Sequence, residues 1–300
     1  MARKIGSMKR VICALRLAVR AGPRALLLAV LASGLSPLAA QAADAWTFGV
    51  LSQRNAVLTA RYWNPIFDYV RSKTGVVLEL KVARSAPESN AATAQGAYDF
   101  VYSNALFQPR MAQANYQVIL RPNDDAITGQ IVTLENSPIQ TLHALRGQPV
   151  GFPSREAFVG YAVPMDALLR QGIAVVPVYG GNQEGIMAQL KAGRVMAAGV
   201  NGQLMQSFAA REGMSYRVLW ESPAFLNLPI AVHPRVPKAV VDAVRQAIDG
   251  MDSDAEGLRV LEATARVIGQ KPPYGFRMSS PADYRSYRDF YRHTVLKDGR

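Results

Sequence analysis

The sequence is almost without cysteine: Cys13 is the only one in 300 residues. Everything after it therefore lacks a disulfide, a thiolate nucleophile and a cysteine-based metal site. Histidine is nearly as scarce, with His143, His233 and His293 far apart along the chain. No H-E-x-x-H, G-x-x-x-x-G-K-[ST], G-x-G-x-x-G or G-x-S-x-G spacing occurs. The chain thus lacks the paired zinc ligands, phosphate cradle, dinucleotide turn and nucleophile elbow that those spacings build. Long apolar runs are missing too. The one prominent run, Ala25 to Leu35, is about half the roughly 20 residues a membrane-spanning helix needs. An enzyme reading finds no support, and neither a metal nor a cofactor is expected.

That short run has a characteristic setting. Residues 1–24 hold seven basic side chains and no acidic one, and Ala40-Gln41-Ala42 follows the run. A basic segment, a short apolar segment and an A-x-A site make a secretory signal peptide, with cleavage expected near Ala42. No cysteine stands at the cleavage point to carry a lipid, so the expected address is the periplasm. The formal charge of +12 then shrinks, because residues after 42 hold 27 basic against 22 acidic side chains. A balance of +5 without a basic cluster does not resemble a nucleic-acid footprint.

After Ala42, strand-like and helix-like segments alternate. Thr47–Leu51, Val76–Val82, Phe100–Tyr102, Pro149–Phe152, Val175–Tyr179, Val195–Val200 and Arg217–Trp220 read as strands. Ala60–Lys73, the segment that follows Tyr102 and runs to Ala114, Gly160–Gln171, Glu184–Ala192 and Gly202–Glu212 read as helices. Alternation of this kind predicts an α/β fold with mostly parallel sheets. Gln130–Leu134 and Arg217–Glu221 interrupt it and are expected to cross between two lobes. The expected division is residues 1–42 as signal, 43–128 plus 223–300 as a discontinuous first lobe, and 129–222 as the second. Ligands of open α/β sheets sit beyond the carboxyl ends of strands, which places the expected site in a cleft between the lobes.

Several segments together resemble the phosphonate, phosphite and phosphate-binding proteins of ABC importers. They are Phe48-Gly49-Val50-Leu51, Trp63-Asn64-Pro65-Ile66, Tyr98-Asp99-Phe100-Val101-Tyr102-Ser103-Asn104, and Asn136-Ser137-Pro138-Ile139. Gly151-x-Pro153, Gly160-Tyr161-x-Val163-Pro164 and Trp220-x-Ser222-Pro223 complete the set. The resemblance implies a type II periplasmic-binding fold, reversible capture of a small anionic solute, delivery to a membrane permease, and a monomer without a cofactor. An alternative partner is a membrane sensor kinase. Two departures stand out. The family's Asn-Ser-Thr-Ser anion loop is replaced by Ser154-Arg155-Glu156-Ala157-Phe158-Val159, and its Pro-Asp-Tyr falls near Ser85-Ala86-Pro87 without a tyrosine.

The candidate ligand residues follow from both readings. A helix start carries unpaired N–H groups and partial positive charge, so the expected start near Phe158–Gly160 is an anion site to which Arg155 adds a forked donor. Ser154 either caps that helix or meets the ligand, and Ser103 and Asn104 pose the same choice in the first lobe. The resemblance matches Glu184 to the family's amine-side glutamate and Asn201 to a cleft asparagine; in the residues alone they are a first-turn acid and a turn residue. Tyr102, Phe158 and Tyr161 either fill the core or wall the pocket. The altered loop predicts a ligand larger than a simple alkylphosphonate, with an apolar or amine-bearing part.

Overall fold

The computed structural model describes residues 45–297 with the exception of Asp125; the signal-peptide assignment lies outside the described residues. Eleven strands are described there: β1 (Trp46–Val50), β2 (Leu78–Val82), β3 (Phe100–Tyr102), β4 (Gln117–Pro122), β5 (Gly129–Leu134), β6 (Pro149–Phe152), β7 (Val176–Tyr179), β8 (Ala197–Asn201), β9 (Tyr216–Glu221), β10 (Ile230–Val232) and β11 (Phe276–Met278). The α-helices are α1 (Ala56–Thr74), α2 (Ala86–Ala94), α3 (Val163–Arg170), α4 (Gln183–Lys191), α5 (Gly202–Glu212), α6 (Lys238–Asp249), α7 (Ala255–Ile268) and α8 (Arg285–His293).

The strands form two sheets, a six-stranded one in the order β11-β4-β10-β3-β1-β2 and a five-stranded one in the order β7-β6-β8-β5-β9. The α/β class holds, but the sheets are mixed rather than mostly parallel. β1 pairs in parallel with β2 and β3, and β6 with β7 and β8. The ladders of β10 with β3 and β4, of β11 with β4, and of β5 with β8 and β9 are antiparallel. The cause is the crossing. β5 enters the second sheet, and β10 re-enters the first, straight from the other sheet instead of through a helical crossover, so each runs against its neighbours.

Local signals explain the helices. The Asn55 side chain accepts from Leu58 N at the start of α1, and Gly75 ends it at φ +75°. Asn201 and Gly213 do the same for α5; a polar cap and a left-handed glycine are the usual helix boundaries. Trp63, Ile66, Phe67 and Val70 line one face of α1 and bury against Phe48 and Phe100 of the first sheet. Two expected helices differ. Residues 105–114 form two short 3-10 turns separated at Gln108, where Pro109 follows, since the residue before proline is driven out of the α region. Residues 158–162 make a π-helical turn, and the α-helix begins only at Val163.

Gln130–Leu134 and Arg217–Glu221 do not themselves cross, since both lie within the second sheet as β5 and β9; the crossing is made by residues 123–128 and 222–229, which touch each other. Ile127 and Phe225 form an antiparallel bridge, and Ser222 N donates to Gly129 O at 2.9 Å. A third tie was not expected. α8 stacks Tyr287 on Phe158 at a centroid separation of 4.2 Å, and the tail after it docks on Asp166 of α3. The Asp166 carboxylate accepts from the Thr294 hydroxyl, Val295 N and Arg170 Nε. Burial pushes this carboxyl up, but the Arg170 guanidinium and the two other donors outweigh it and hold it below the usual carboxylate range. A depressed folded value means the stabilisation is complete above the unfolded value of about 4 and fades as the pH falls through the folded one. Asp166→Ala should accordingly cost about 1.5–3 kcal/mol at pH 7. Urea titrations at pH 7 and pH 3 should show the gap between variant and wild type narrowing in acid; a constant gap would assign the loss to packing.

Candidate ligand site between the two sheets

Strands β1, β3 and β4 of the first sheet and β8 of the second all end on one chamber. It is lined by Leu51, Gln53, Arg54, Tyr62, Tyr102, Pro122, Asp124, Asn201, Gln203, Ser207, Asn227 and Gln270, among others. The first turns of α1 and α5 contribute Leu58, Thr59, Gln203 and Leu204 to its wall, so two helix N-termini with their partial positive charge adjoin it. The volume open to the centre of a water-sized sphere is about 40 Å³, room for roughly three waters at ~10–15 Å³ each. A second, smaller chamber of about 20 Å³ shares Leu51 and Gln53 with the first and is otherwise lined mainly by Ser52, Ala86, Asn104, Pro153, Phe158 and Gln183.

The charge in the main chamber comes from residues that sequence reasoning missed. Arg54 is half-buried on its wall. Loss of water draws its guanidinium below the ordinary value, against the favourable influence of Tyr102, Tyr62 and Glu184. Among the described residues no carboxylate lies within ion-pair distance of it. Asp124 faces the same chamber, and its Oδ2 accepts from Gln203 Nε2 at 3.1 Å and Asn227 Nδ2 at 2.9 Å. Asn227 Nδ2 also donates to Gln203 Oε1 at 3.2 Å. Tyr62 and Tyr102 have their hydroxyls pushed well up, first by burial and next by the Asp124 charge, with Arg54 opposing. Both phenols therefore remain protonated donors between one fixed cation and one fixed anion.

Of the residues singled out from sequence, Tyr102 and Asn201 line the main chamber and Asn104 and Phe158 the smaller one. Asn201 caps α5, its Oδ1 accepting from Leu204 N at 3.2 Å, while its own N–H donates to Gln183 Oε1. The others line neither chamber among the described residues. Ser103 Oγ accepts from Ala105 N, and Ser154 Oγ from Glu156 N. Arg155 is exposed, its guanidinium 5.7 Å from the centre of the Tyr179 ring. Gly160 is a packing position, where a Cβ would stand 2.4 Å from Gln183 Nε2. Tyr161 packs edge-on to Phe152. The expected helix start at Phe158–Gly160 is instead a buried π-helical turn. Glu184 spends both carboxylate oxygens on protein groups: Oε1 accepts from Arg211 at 2.8 Å, and Oε2 from Asn55 N and Nδ2.

A model of the family described as the phosphonate ABC transporter's periplasmic substrate-binding protein matches residues 48–276, more than half of the chain. The chain belongs to this family of ABC-transporter substrate-binding proteins. Solved structures agree on the fold. A binding-protein component of a phosphonate ABC transporter from Pseudomonas aeruginosa is similar at TM-score 0.69 and 16% identity, over 83% of this chain and 85% of that one. A Prochlorococcus marinus protein in complex with methylphosphonate gives TM-score 0.69 at 13% identity, over 83% and 97%. The aliphatic sulphonate-binding protein of Escherichia coli gives 0.55 at 17%, over 83% and 87%. No curated protein matches in sequence. The substrate-binding family is two-lobed and periplasmic, and serves transport rather than catalysis; nothing favours the sensor-kinase alternative. Among the described residues no helix is long and apolar enough to cross a membrane.

Proposed function

We propose that this substrate-binding protein captures a compact anion in the chamber between its two sheets and presents it to the permease of an ABC importer. The observation that carries the reading is Arg54, a half-buried cation on the wall of a small polar chamber where two helix N-termini meet, with no carboxylate of the described residues in ion-pair distance. A charge without an ion-pair partner in such a place costs stability that a ligand of opposite sign would recover. The ligand carries a donor-rich end as well as its anionic head. Asp124 brings a carboxylate to the same chamber, with the amide NH2 groups of Gln203 and Asn227 turned towards it, and a cationic end of the ligand would meet that charge. A short aminoalkylphosphonate or a small amino acid fits both ends. The narrow volume argues for such a compact solute and against the larger ligand that the altered loop suggested.

Tyr102 and Asn201 are proposed contacts of the main chamber, Asn104 and Phe158 of the smaller one. The proposed lobes are residues 43–128 with 223–300, and residues 129–222, closing about the bridged segments at Ile127 and Phe225. The proposed mature chain starts after Ala42. Calorimetric titration of periplasmic protein with phosphate, methylphosphonate, 2-aminoethylphosphonate, ethanesulfonate and glycine tests the reading, with N-terminal sequencing of the same sample. Micromolar or tighter binding of 2-aminoethylphosphonate or glycine, and weaker binding of the anions without an amine, is the expected result. Equal affinity for amine-free anions would remove Asp124 from the site, and silence from the whole panel would count against the chamber.

A further inference from the structure

Glu184 is matched by resemblance to a ligand-facing acid, yet its geometry gives it other work. It opens α4 on the second-sheet side, half-buried, with its side chain 15% exposed. Its Oε2 accepts from the backbone and side-chain nitrogens of Asn55, at 3.2 and 3.1 Å, across the cleft. Its own N–H donates to Gln53 O at 3.2 Å. Arg211, at the last turn of α5, holds Oε1 at 2.8 Å and fixes the carboxylate from behind. Gln53 and Asn55 are the two chain neighbours of Arg54, and Asn55 also caps α1.

We propose that Glu184 is a cleft latch and the positioning residue for Arg54, so that lobe closure and placement of the chamber's cation are one event. The proposal rests on the reading that Arg54 meets the solute. The logic is geometric. The loop from Gln53 to Asn55 is gripped on both sides of Arg54 by a single residue of the opposite lobe, which leaves the guanidinium few directions other than the chamber. When the lobes part, both grips are lost together and Arg54 regains water. Closure thus moves the cation from solvent to chamber, and an anion bound there favours the closed form by linkage. The charge of Glu184 reaches Arg54 as well, which partly offsets the loss of water at the guanidinium. An amine on the ligand would have to displace Arg211 or Asn55 to reach Glu184, and Asp124 already offers that charge inside the chamber.

The test reads distance, not affinity, and needs no solute. Cys13 is the only thiol in the sequence, so with Cys13 replaced by serine, cysteines introduced at the exposed positions Asn64 and Arg194 can carry nitroxide labels specifically. Asn64 lies on α1 beside the first sheet, and Arg194 precedes β8 in the second. Double electron–electron resonance should show a short, narrow distance component in the solute-free protein. Glu184→Ala should lose at least half of that component to longer distances. Glu184→Gln keeps an acceptor for Asn55 but no charge for Arg211, and should fall between the two; it also guards against a variant that merely fails to fold. A wild type without the short component, or distributions unchanged in both variants, would overturn the latch. A failed solute panel would leave these distances untouched, so the two readings fail separately. Where a panel solute binds, its Kd should rise about tenfold in Glu184→Ala although Arg54 is intact.

Discussion

Arg54→Ala should lower the affinity for the captured anion by about tenfold to 150-fold, the span of 1.5–3 kcal/mol for a hydrogen bond to a charged group. Arg54→Met sharpens the expectation because two effects separate. The methionine keeps most of the apolar stem but removes a guanidinium whose hydration is lost in the chamber. Replacing buried charge by apolar atoms of similar shape is often neutral or stabilising by about 1–4 kcal/mol. The solute-free variant should therefore melt no lower than the wild type, while its solute-induced shift in melting temperature disappears. Differential scanning fluorimetry with and without the tightest panel solute reads both numbers from one sample. A variant that melts lower and still shifts with solute would make Arg54 a structural residue, and the search for the anion would move to the smaller chamber beside Asn104.

The second large effect belongs to Phe158, which the sequence left divided between core and pocket wall. The residue is 3% exposed and stacks on Tyr287 at 4.2 Å, with Phe225 edge-on at 4.8 Å and Phe290 at 5.1 Å. Phe158→Ala should destabilise the protein by about 3–5 kcal/mol, the usual cost of deleting a buried aromatic ring, seen as a lower urea midpoint. Phe158→Leu restores most of the volume and should recover much of that loss. Because Phe158 also borders the smaller chamber, titration of the leucine variant separates its two roles. A change in solute affinity well beyond the change in stability would make it a ligand wall first and a core residue second.

Eight of the eleven described strands were legible as short apolar runs between turns, and Phe100–Tyr102 and Pro149–Phe152 fall where the pattern puts them; β4, β10 and β11 were not read from the sequence. Helix α5 was legible for the same local reason, framed by Asn201 and Gly213. Strand direction was not legible, since it depends on which sheet each crossing segment joins. Nor was the docking of α8, which depends on a seam of aromatic rings drawn from residues 158, 225, 287 and 290. The resemblance pointed to a cleft between lobes and to Arg155, which lines neither chamber, whereas the cation on the main chamber's wall is Arg54. Arg155 drew attention because it sits in a loop with a known counterpart, whereas Arg54 sits in the polar stretch Ser52-Gln53-Arg54-Asn55 with nothing local to mark it. One signal was available: a basic residue in the short turn after the first strand and directly before the helix cap Asn55, the region where open α/β sheets receive anions.

The strand order also sets a schedule for folding. The second sheet is drawn from one continuous stretch, Gly129 to Glu221, so every strand it needs is present once that stretch has emerged. The first sheet is not. β10 lies between β4 and β3, and nothing before residue 230 can fill that place. Until it arrives, β4 has no neighbour on either side, because β11 comes later still. Leu120, which ends fully buried, must wait on an unpaired strand while more than a hundred later residues appear. A chain emerging from its N-terminus thus completes its middle first and its beginning last, and the late closure of non-local pairings makes the first sheet the slow and aggregation-exposed half of the molecule.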